Sequence, residues 1–251
     1  MLRHPIRLLI TLFLLVFIVG PSLLGFYTDW LWFGEVGYRQ VYLTMLTSEG
    51  ALFTILFAVA AVWLAVNLQV ALRTLSHARP MLTTRDGIQV TLPGPRQLRA
   101  IAMALAVIAA ALVGLYGASE WDVWLAWQKG VPFGVADPVL GHDVSFYVFA
   151  LPFLQFVRGV AEALVVLAAL GAGVIYLVSG NLTSGFPARV ALSPGARRHL
   201  ALLAALFLLL LAFSAWLSRA EFLVNQSGMI FGASYADVHG RLPASWAVVA
   251  V

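Results

Sequence analysis

Five long stretches of the chain are almost wholly apolar, and each is long enough to cross a lipid bilayer as a helix. They cover about 8–26, 51–72, 98–117, 151–179 and 200–217. At a rise of about 1.5 Å per residue, 18 to 20 helical residues cover most of a hydrocarbon core about 30 Å thick. A sixth stretch, 244–251, reaches the last residue after only about 12 Å. We therefore expect a helix cut short, and hence the N-terminal part of a longer protein.

The composition requires lipid rather than water as the solvent for these stretches. Hydrophobic residues make up 62% of the 251 residues and charged residues 10%, against about 45–50% and about 25% in soluble domains. The fold class predicted is all-α: a polytopic transmembrane helix bundle with structured outer loops. The chain has no cysteine, which excludes disulfides and thiolate ligands.

Basic residues are concentrated in alternate gaps between the apolar stretches. Ten lie before the first stretch, between the second and third, and between the fourth and fifth: Arg3, Arg7, Arg73, Arg79, Arg85, Arg96, Arg99, Arg189, Arg197 and Arg198. Only four lie in the other gaps, which hold nine acids. The positive-inside rule then predicts a cytoplasmic N-terminus in the plasma membrane, with the acidic loops outside. The arginines follow helix ends and form no single surface, so we expect the bilayer, not a nucleic acid, as partner.

A Phe-Gly pair recurs in the outer loops at intervals of about 100 residues, as Phe33-Gly34, Phe133-Gly134 and Phe231-Gly232. The inner strings starting at Val90 and Val190 are also alike. We hypothesise three repeated units, each a helix, an outer loop and a returning helix. Chance recurrence is the alternative, because Phe and Gly are common in this chain.

The outer-loop strings resemble those of the bacterial uncharacterised protein family 0182. The strings are Asp29-Trp-Leu-Trp-Phe-Gly-Glu-Val-Gly-Tyr38, residues 133–153, and Phe231-Gly-Ala-Ser-Tyr-Ala-Asp-Val-His-Gly-Arg-Leu-Pro243. The resemblance implies a multi-pass membrane protein of several hundred residues, with a large extracytoplasmic region after its N-terminal helices. That region would lie beyond this chain. The resemblance supplies no catalytic residues.

Arg158 and Glu162 are the candidate intramembrane polar pair, four residues apart near the outer end of the fourth stretch. At this spacing the two side chains lie on one helix face, although Arg before Glu is the weaker order. Ionisable groups at membrane depth usually pair or line a polar path. One interpretation is part of a gate or substrate path. The interpretation we favour is a structural pair, with Arg158 extending toward the headgroups.

The acids and histidines of the outer loops, including Asp137, His142, Asp143, Asp237 and His239, have no spacing typical of a metal site. We expect no metal, and predict that Asp137 and Asp143 cap turns.

Other residues have predicted structural roles. Trp121, Trp124 and Leu125 predict a short helix in the outer interface. Asn67 and Gln69 are expected to form interhelical hydrogen bonds, and the pairs Gly114-x-x-x-Ala118 and Gly159-x-x-x-Ala163 to permit close helix packing.

Catalytic motifs such as a Walker loop, Gly-x-Ser-x-Gly or His-Glu-x-x-His are absent from the sequence. We therefore expect no enzyme activity, catalytic residue or cofactor. Two functions stay open: an envelope anchor and assembly module for a large extracytoplasmic domain, or a transporter or lipid-handling protein with a path between helices. Other envelope proteins, or further copies of the chain, are possible partners.

Overall fold

The computed structural model describes residues 3–75, 81–83, 89–91, 93–185, 189–224 and 232–245. This part of the chain is mainly helical, which confirms the predicted fold class. Its six α-helices are α1 Arg3–Glu35, α2 Arg39–Leu72, α3 Pro95–Ser119, α4 Trp121–Lys129, α5 Leu151–Val178 and α6 Pro194–Val224. Residues 242–245 are also helical, and the rest of the predicted sixth stretch lies outside the described residues.

The helices extend well beyond the apolar stretches that predicted them. Helix α1 continues to Glu35 and α2 already begins at Arg39, so Phe33-Gly34 is helical rather than part of a loop. Gly37, with φ of +79°, ends α1 in a Schellman motif. Its amide donates to the Gly34 carbonyl and the Tyr38 amide donates to the Phe33 carbonyl. A helix ends where its terminal carbonyls find such partners, not where apolar residues end.

The chain divides into two compact units, Met1–Gly50 and Ala51–Val251. In the first, Tyr42 at the start of α2 is 2% exposed. Its ring stacks on Phe33 at 5.0 Å and contacts Phe26 and Trp30 of α1. Arg39 lies 5.0 Å over the Trp30 ring. These aromatic contacts hold the tip of the α1–α2 helical hairpin together.

The core of the second unit lies between α2, α3, α5 and α6. Glycines bring the helices close: Gly114 and Gly117 of α3 face Phe53 and Leu56 of α2. This confirms the packing role predicted for Gly114. Gly159 instead has open space where a Cβ would stand, so it brings no helix close.

Two short antiparallel hairpins, which the sequence analysis did not predict, precede the proline-led helices α3 and α6. Their strands are β1 Met81–Thr83, β2 Gln89–Thr91, β3 Leu182–Gly185 and β4 Arg189–Leu192. The two similar strings begin in β2 and β4. Val90 pairs with Leu82 in the first hairpin, and Val190 pairs with Ser184 in the second.

The second and third predicted repeat units also share features at the ends that the sequence predicts to lie outside; we call these the outer ends, and their loops the outer loops. Gly134 and Gly232 have positive φ. A π-helical turn follows each loop, at Phe146–Ala150 and Asp237–Arg241. Phe231 lies outside the described residues. The first predicted repeat unit turns tightly at Gly37 and has no such loop. The threefold repeat therefore stays a hypothesis.

Four segments of the described structure are long and apolar enough to cross a membrane: Arg39–Leu72, Pro95–Ser119, Phe146–Val178 and Pro194–Val224. Many of their large apolar side chains point away from the protein, as Leu202 and Leu208 do at 71% and 64% exposure. Such a surface is stable in contact with lipid chains and unfavourable in water.

Candidate functional site

Arg158 and Glu162 do form the predicted pair. Arg158 Nε lies 3.7 Å from Glu162 Oε1, and the two side chains are 24% and 25% exposed. The distance is within ion-pair range but too long for a hydrogen bond. Arg158 also donates a hydrogen bond across to Ser214 Oγ of α6, at 2.5 Å. The Arg158 guanidinium therefore interacts with side chains of two helices, Glu162 of α5 and Ser214 of α6.

A second polar contact joins the same two helices nearer their outer ends. Gln155 Nε2 donates to Glu221 Oε1 at 2.8 Å. We call the five residues Gln155, Arg158, Glu162, Ser214 and Glu221 the polar seam. Their spacings of three, four and seven place each set on one face of its helix. These spacings were readable in the sequence, but nothing in it showed that the two faces meet.

An apolar cluster adjoins the outer end of the polar seam. Tyr147, Leu151, Leu217 and Ala220 form a buried cluster there, and Leu140 of the outer loop packs against it. Arg158 and Glu162 thus lie partly buried between the helices as an ion pair, which lowers the cost of charges at membrane depth, while Arg158 Nε and Glu162 Oε1 make no hydrogen bond within the described structure. Chemically, the polar seam is suited to fixing α5 against α6.

Two aspartates hold the outer loop that precedes α5, which confirms their predicted turn-capping role. Asp137 Oδ1 accepts hydrogen bonds from the amides of Val139 and Leu140, both at 2.8 Å. Its Oδ2 accepts from the His142 amide at 3.0 Å and from Tyr147 Oη at 2.6 Å. The loop is therefore tied to the start of the α5 segment.

Asp143 closes the other side of this loop. Its carboxylate accepts from the amides of Phe133 at 3.0 Å, Gly134 at 2.7 Å and Ser145 at 2.8 Å. Ala136 and Asp143 also form an antiparallel bridge. A Phe-Gly pair in this position thus supplies two amides to a carboxylate ten residues later.

These hydrogen bonds favour the ionised carboxylates. Hydrogen bonds from the hydroxyl and amide of Ser145, and then from the amides of Phe133 and Gly134, lower the pKa of Asp143 from 3.8 to about 2. Burial of Asp137 opposes its ionisation, but the hydrogen bonds from Tyr147 and three amides outweigh burial and lower its pKa. Both groups are acceptors only, so the loop is fixed at neutral pH.

Asp237 has a similar role in the third loop. It accepts from the Ser234 amide and hydroxyl, at 2.9 and 2.7 Å, and from Arg241 at 3.0 Å. These interactions, led by the Ser234 hydroxyl, lower the pKa of Asp237. His239 stacks on Tyr235 with ring centroids 4.0 Å apart. Within the described ranges, no group of three histidine or acidic side chains converges to hold a metal.

The short helix predicted from the tryptophans is α4. Trp127 stacks on Phe153 of α5 at 4.1 Å between centroids, and Trp124 meets the same ring edge-on at 5.8 Å. The packing face therefore includes Trp127, which was not in the predicted set. These rings pack on one another rather than lining an open stacking site.

A further polar group, at the opposite end of the bundle, was missed in the sequence analysis. His199 Nε2 lies 3.1 Å from Asn67 Oδ1, and His199 Nδ1 lies 2.8 Å from Tyr176 Oη. Asn67 Nδ2 donates to the Trp63 carbonyl, so its oxygen accepts from Nε2 and Tyr176 donates to Nδ1. The interhelical bond predicted for Asn67 is confirmed, whereas Gln69 is exposed. The sequence around His199 is apolar and does not indicate that the side chain bonds to residues of two other helices.

Long helices with apolar outer faces and polar groups turned inward define a polytopic helical membrane protein. The chain belongs to the uncharacterised protein family UPF0182, whose model matches residues 6–251. This confirms the family resemblance of the outer-loop strings.

The relatives are longer than this chain. It is 37% identical to a UPF0182 protein of Salinispora tropica over 96% of this chain and 24% of the relative. It is 33% identical to proteins of Geobacter sp. (strain M21) and Corynebacterium glutamicum (strain R), covering 27% and 24% of them. The chain thus spans about a quarter of the length of the curated relatives it matches. No solved structure matches it.

Proposed function

We propose that this chain is an anchor and assembly module of the bacterial cell envelope. In this proposal it spans the plasma membrane with its N-terminus in the cytoplasm and supports a large extracytoplasmic domain. The relatives are about four times as long as this chain, so they contain enough additional sequence for such a domain. The chain itself is assigned no catalytic step. Its partners are the bilayer and, through the outer loops, other envelope proteins or further copies.

The polar seam is the observation that carries this proposal. Two hydrogen bonds within it join α5 to α6, an ion pair on α5 adjoins them, and the loop that precedes α5 is held by Asp137 and Asp143. A platform that supports an outer domain needs such fixed geometry. A coupling site in a transporter needs polar groups that exchange their partners during the cycle.

Replacing one or both charges of the Arg158–Glu162 pair distinguishes an anchor from a transporter. Arg158→Met alone leaves Glu162 without its ion-pair partner, whereas Arg158→Met/Glu162→Met removes both charges. For an anchor, we expect the single variant to unfold at a lower temperature than the double variant, because an unpaired charge costs more than an absent pair. The single variant should also be less abundant in the membrane than the double variant, and should release more of the outer domain.

A transporter predicts a different pattern for the same proteins. Both variants would then keep wild-type stability and abundance, yet reproduce the envelope defects of a deletion strain. That result would refute the anchor proposal.

The orientation has its own test, helped by the absence of cysteine from this chain. Val139→Cys in the outer loop should react with a membrane-impermeant maleimide in intact cells. Gly195→Cys, at an exposed position in the first turn of α6 with open space for a side chain, should react only after the cells are lysed. The reverse pattern would refute the proposed topology.

The second candidate function, lipid handling, is favoured by one observation. An apolar cleft lies between α2, α3 and α5. It is described next.

A further inference from the structure

The cleft between α2, α3 and α5 has a volume of about 350 Å³, within the range of small-molecule sites. All of its lining residues are apolar. Leu64 and Leu68 of α2 form a buried floor, while Leu105 of α3 and Leu170 of α5, 60% and 63% exposed, form the walls. A buried floor between exposed walls means that the cleft opens sideways, toward the surrounding bilayer.

The length of the cleft matches one leaflet. Its walls run from Leu98 to Ala109 on α3 and from Leu167 to Val178 on α5. At about 1.5 Å per residue, each wall is about 16 Å long. That is about half of a 30 Å hydrocarbon core, so the cleft accommodates one lipid tail and not a chain that crosses the membrane.

The end of the cleft is polar and positively charged. Leu75, Leu98 and Val178 line this end, and Thr74 and Ser179 meet beside it with their hydroxyl oxygens 3.4 Å apart.

Two arginines lie next to residues that line this end of the cleft. Arg73 follows the lining residue Leu72. Arg99 precedes the lining residues Ala102 and Ala106 by three and seven positions, which places it on the edge of their face. Both are exposed, and the first turn of α3 contains no acid.

We propose that this cleft is a binding site for one anionic phospholipid. An acyl chain lies along the floor formed by α2, and Arg73 and Arg99 bind the phosphate at its end. In the first turn of α3 the amides of Arg96 and Gln97 remain as donors for the same phosphate, because Pro95 has no N–H and the Leu98 amide donates to the Gly94 carbonyl. The occupied leaflet is the one on the arginine-rich side. This site goes beyond the anchor proposal, since an anchor needs no specific lipid.

The test uses the protein in nanodiscs of equal parts phosphatidylglycerol and phosphatidylcholine, released for native mass spectrometry. Ala102→Phe places a large side chain in the cleft. Ala104→Phe is the matched control, because Ala104 is exposed on the opposite side of the same helix. We expect the wild type and Ala104→Phe to retain one phosphatidylglycerol, and Ala102→Phe to retain none.

The headgroup is tested separately with substitutions at exposed positions, which do not depend on core packing. Arginines near a membrane surface favour anionic lipids, so Arg73→Gln/Arg99→Gln should lower the preference for phosphatidylglycerol about tenfold or more. Arg197→Gln/Arg198→Gln, exposed at the start of α6, should leave it unchanged.

Three results would overturn the proposal. They are no retained lipid on the wild type, equal loss of preference in both arginine pairs, and unchanged retention in Ala102→Phe. If Ala102→Phe instead abolishes a dimer and the wild type carries no lipid, the cleft holds a second copy of the chain. None of these outcomes bears on the polar seam, so the anchor proposal is tested independently.

Discussion

A methyl group added to either Gly114 or Gly159 would lie inside a membrane-spanning helix, but it would meet very different surroundings. On Gly114 it would lie 3.0 Å from two ring carbons and the backbone oxygen of Phe53, whereas on Gly159 it would meet nothing within 4 Å. A ring can rotate, but a backbone oxygen in a helix cannot move alone. Gly114→Ala therefore pushes α3 away from α2.

The magnitude follows from two opposing effects. Alanine is favoured over glycine in a helix by about 1 kcal/mol, and both substitutions gain this amount. Overpacking costs about 1–3 kcal/mol, and only Gly114→Ala incurs it. We expect Gly159→Ala to stabilise the protein by up to about 1 kcal/mol and Gly114→Ala to destabilise it by up to about 2 kcal/mol.

Thermal unfolding in detergent, followed by circular dichroism, measures the difference. At about 2–4 °C per kcal/mol for a chain of this size, the two variants should differ in Tm by roughly 2–12 °C, with wild type between them. If both substitutions raise Tm equally, the α2–α3 contact at Gly114 is not as close as described and the argument fails.

Two further predictions concern the outer loop and His199. The pKa of Asp143 lies below its ordinary value of 3.8, near 2, so its stabilisation of the loop is complete above about pH 4 and is lost as the pH falls toward 2. Hydrogen exchange should show protection of the Phe133 and Gly134 amides declining across that window, and Asp143→Asn should show weak protection already at pH 5; pH-independent protection would contradict this. His199→Leu should lower the free energy of unfolding by about 1–2 kcal/mol, because the Tyr176 hydroxyl and the Asn67 side-chain oxygen lose the hydrogen bonds that they make with His199. Adding Tyr176→Phe and Asn67→Leu should recover part of that loss in equilibrium unfolding, and a further loss would refute the reasoning.

The sequence predicted the features that depend on local composition. Apolar length located the long helices, four of which contribute segments apolar enough to cross a membrane, and 151–179 falls within one residue of the ends of α5. Aspartates followed by turn residues identified the caps at Asp137 and Asp143, because an Asx turn is made within a few residues. The region from Arg39 to Gly50 was missed, since helix formation there depends on the turn at Gly37 and on Tyr42 packing against α1.

Contacts between helices were predictable only in part, because periodicity shows which residues share a face but not what that face meets. Gly114 and Gly159 carry the same small-residue pattern, yet only Gly114 approaches another helix. Arg158 and Glu162 were visible as a pair on one helix, whereas Ser214 and Glu221 were not linked to them by anything local.

The pairing of helix faces also decides how Arg158 and Glu162 are to be interpreted. Viewed on α5 alone, they are two paired charges at membrane depth, which fits a polar path as well as a structural pair. With α6 in place, Ser214 accepts a hydrogen bond from Arg158, and an apolar cluster adjoins the outer end of the polar seam. In the anchor proposal the same two residues hold α5 against α6, and only the contacts of the partner helix favour that role over a path.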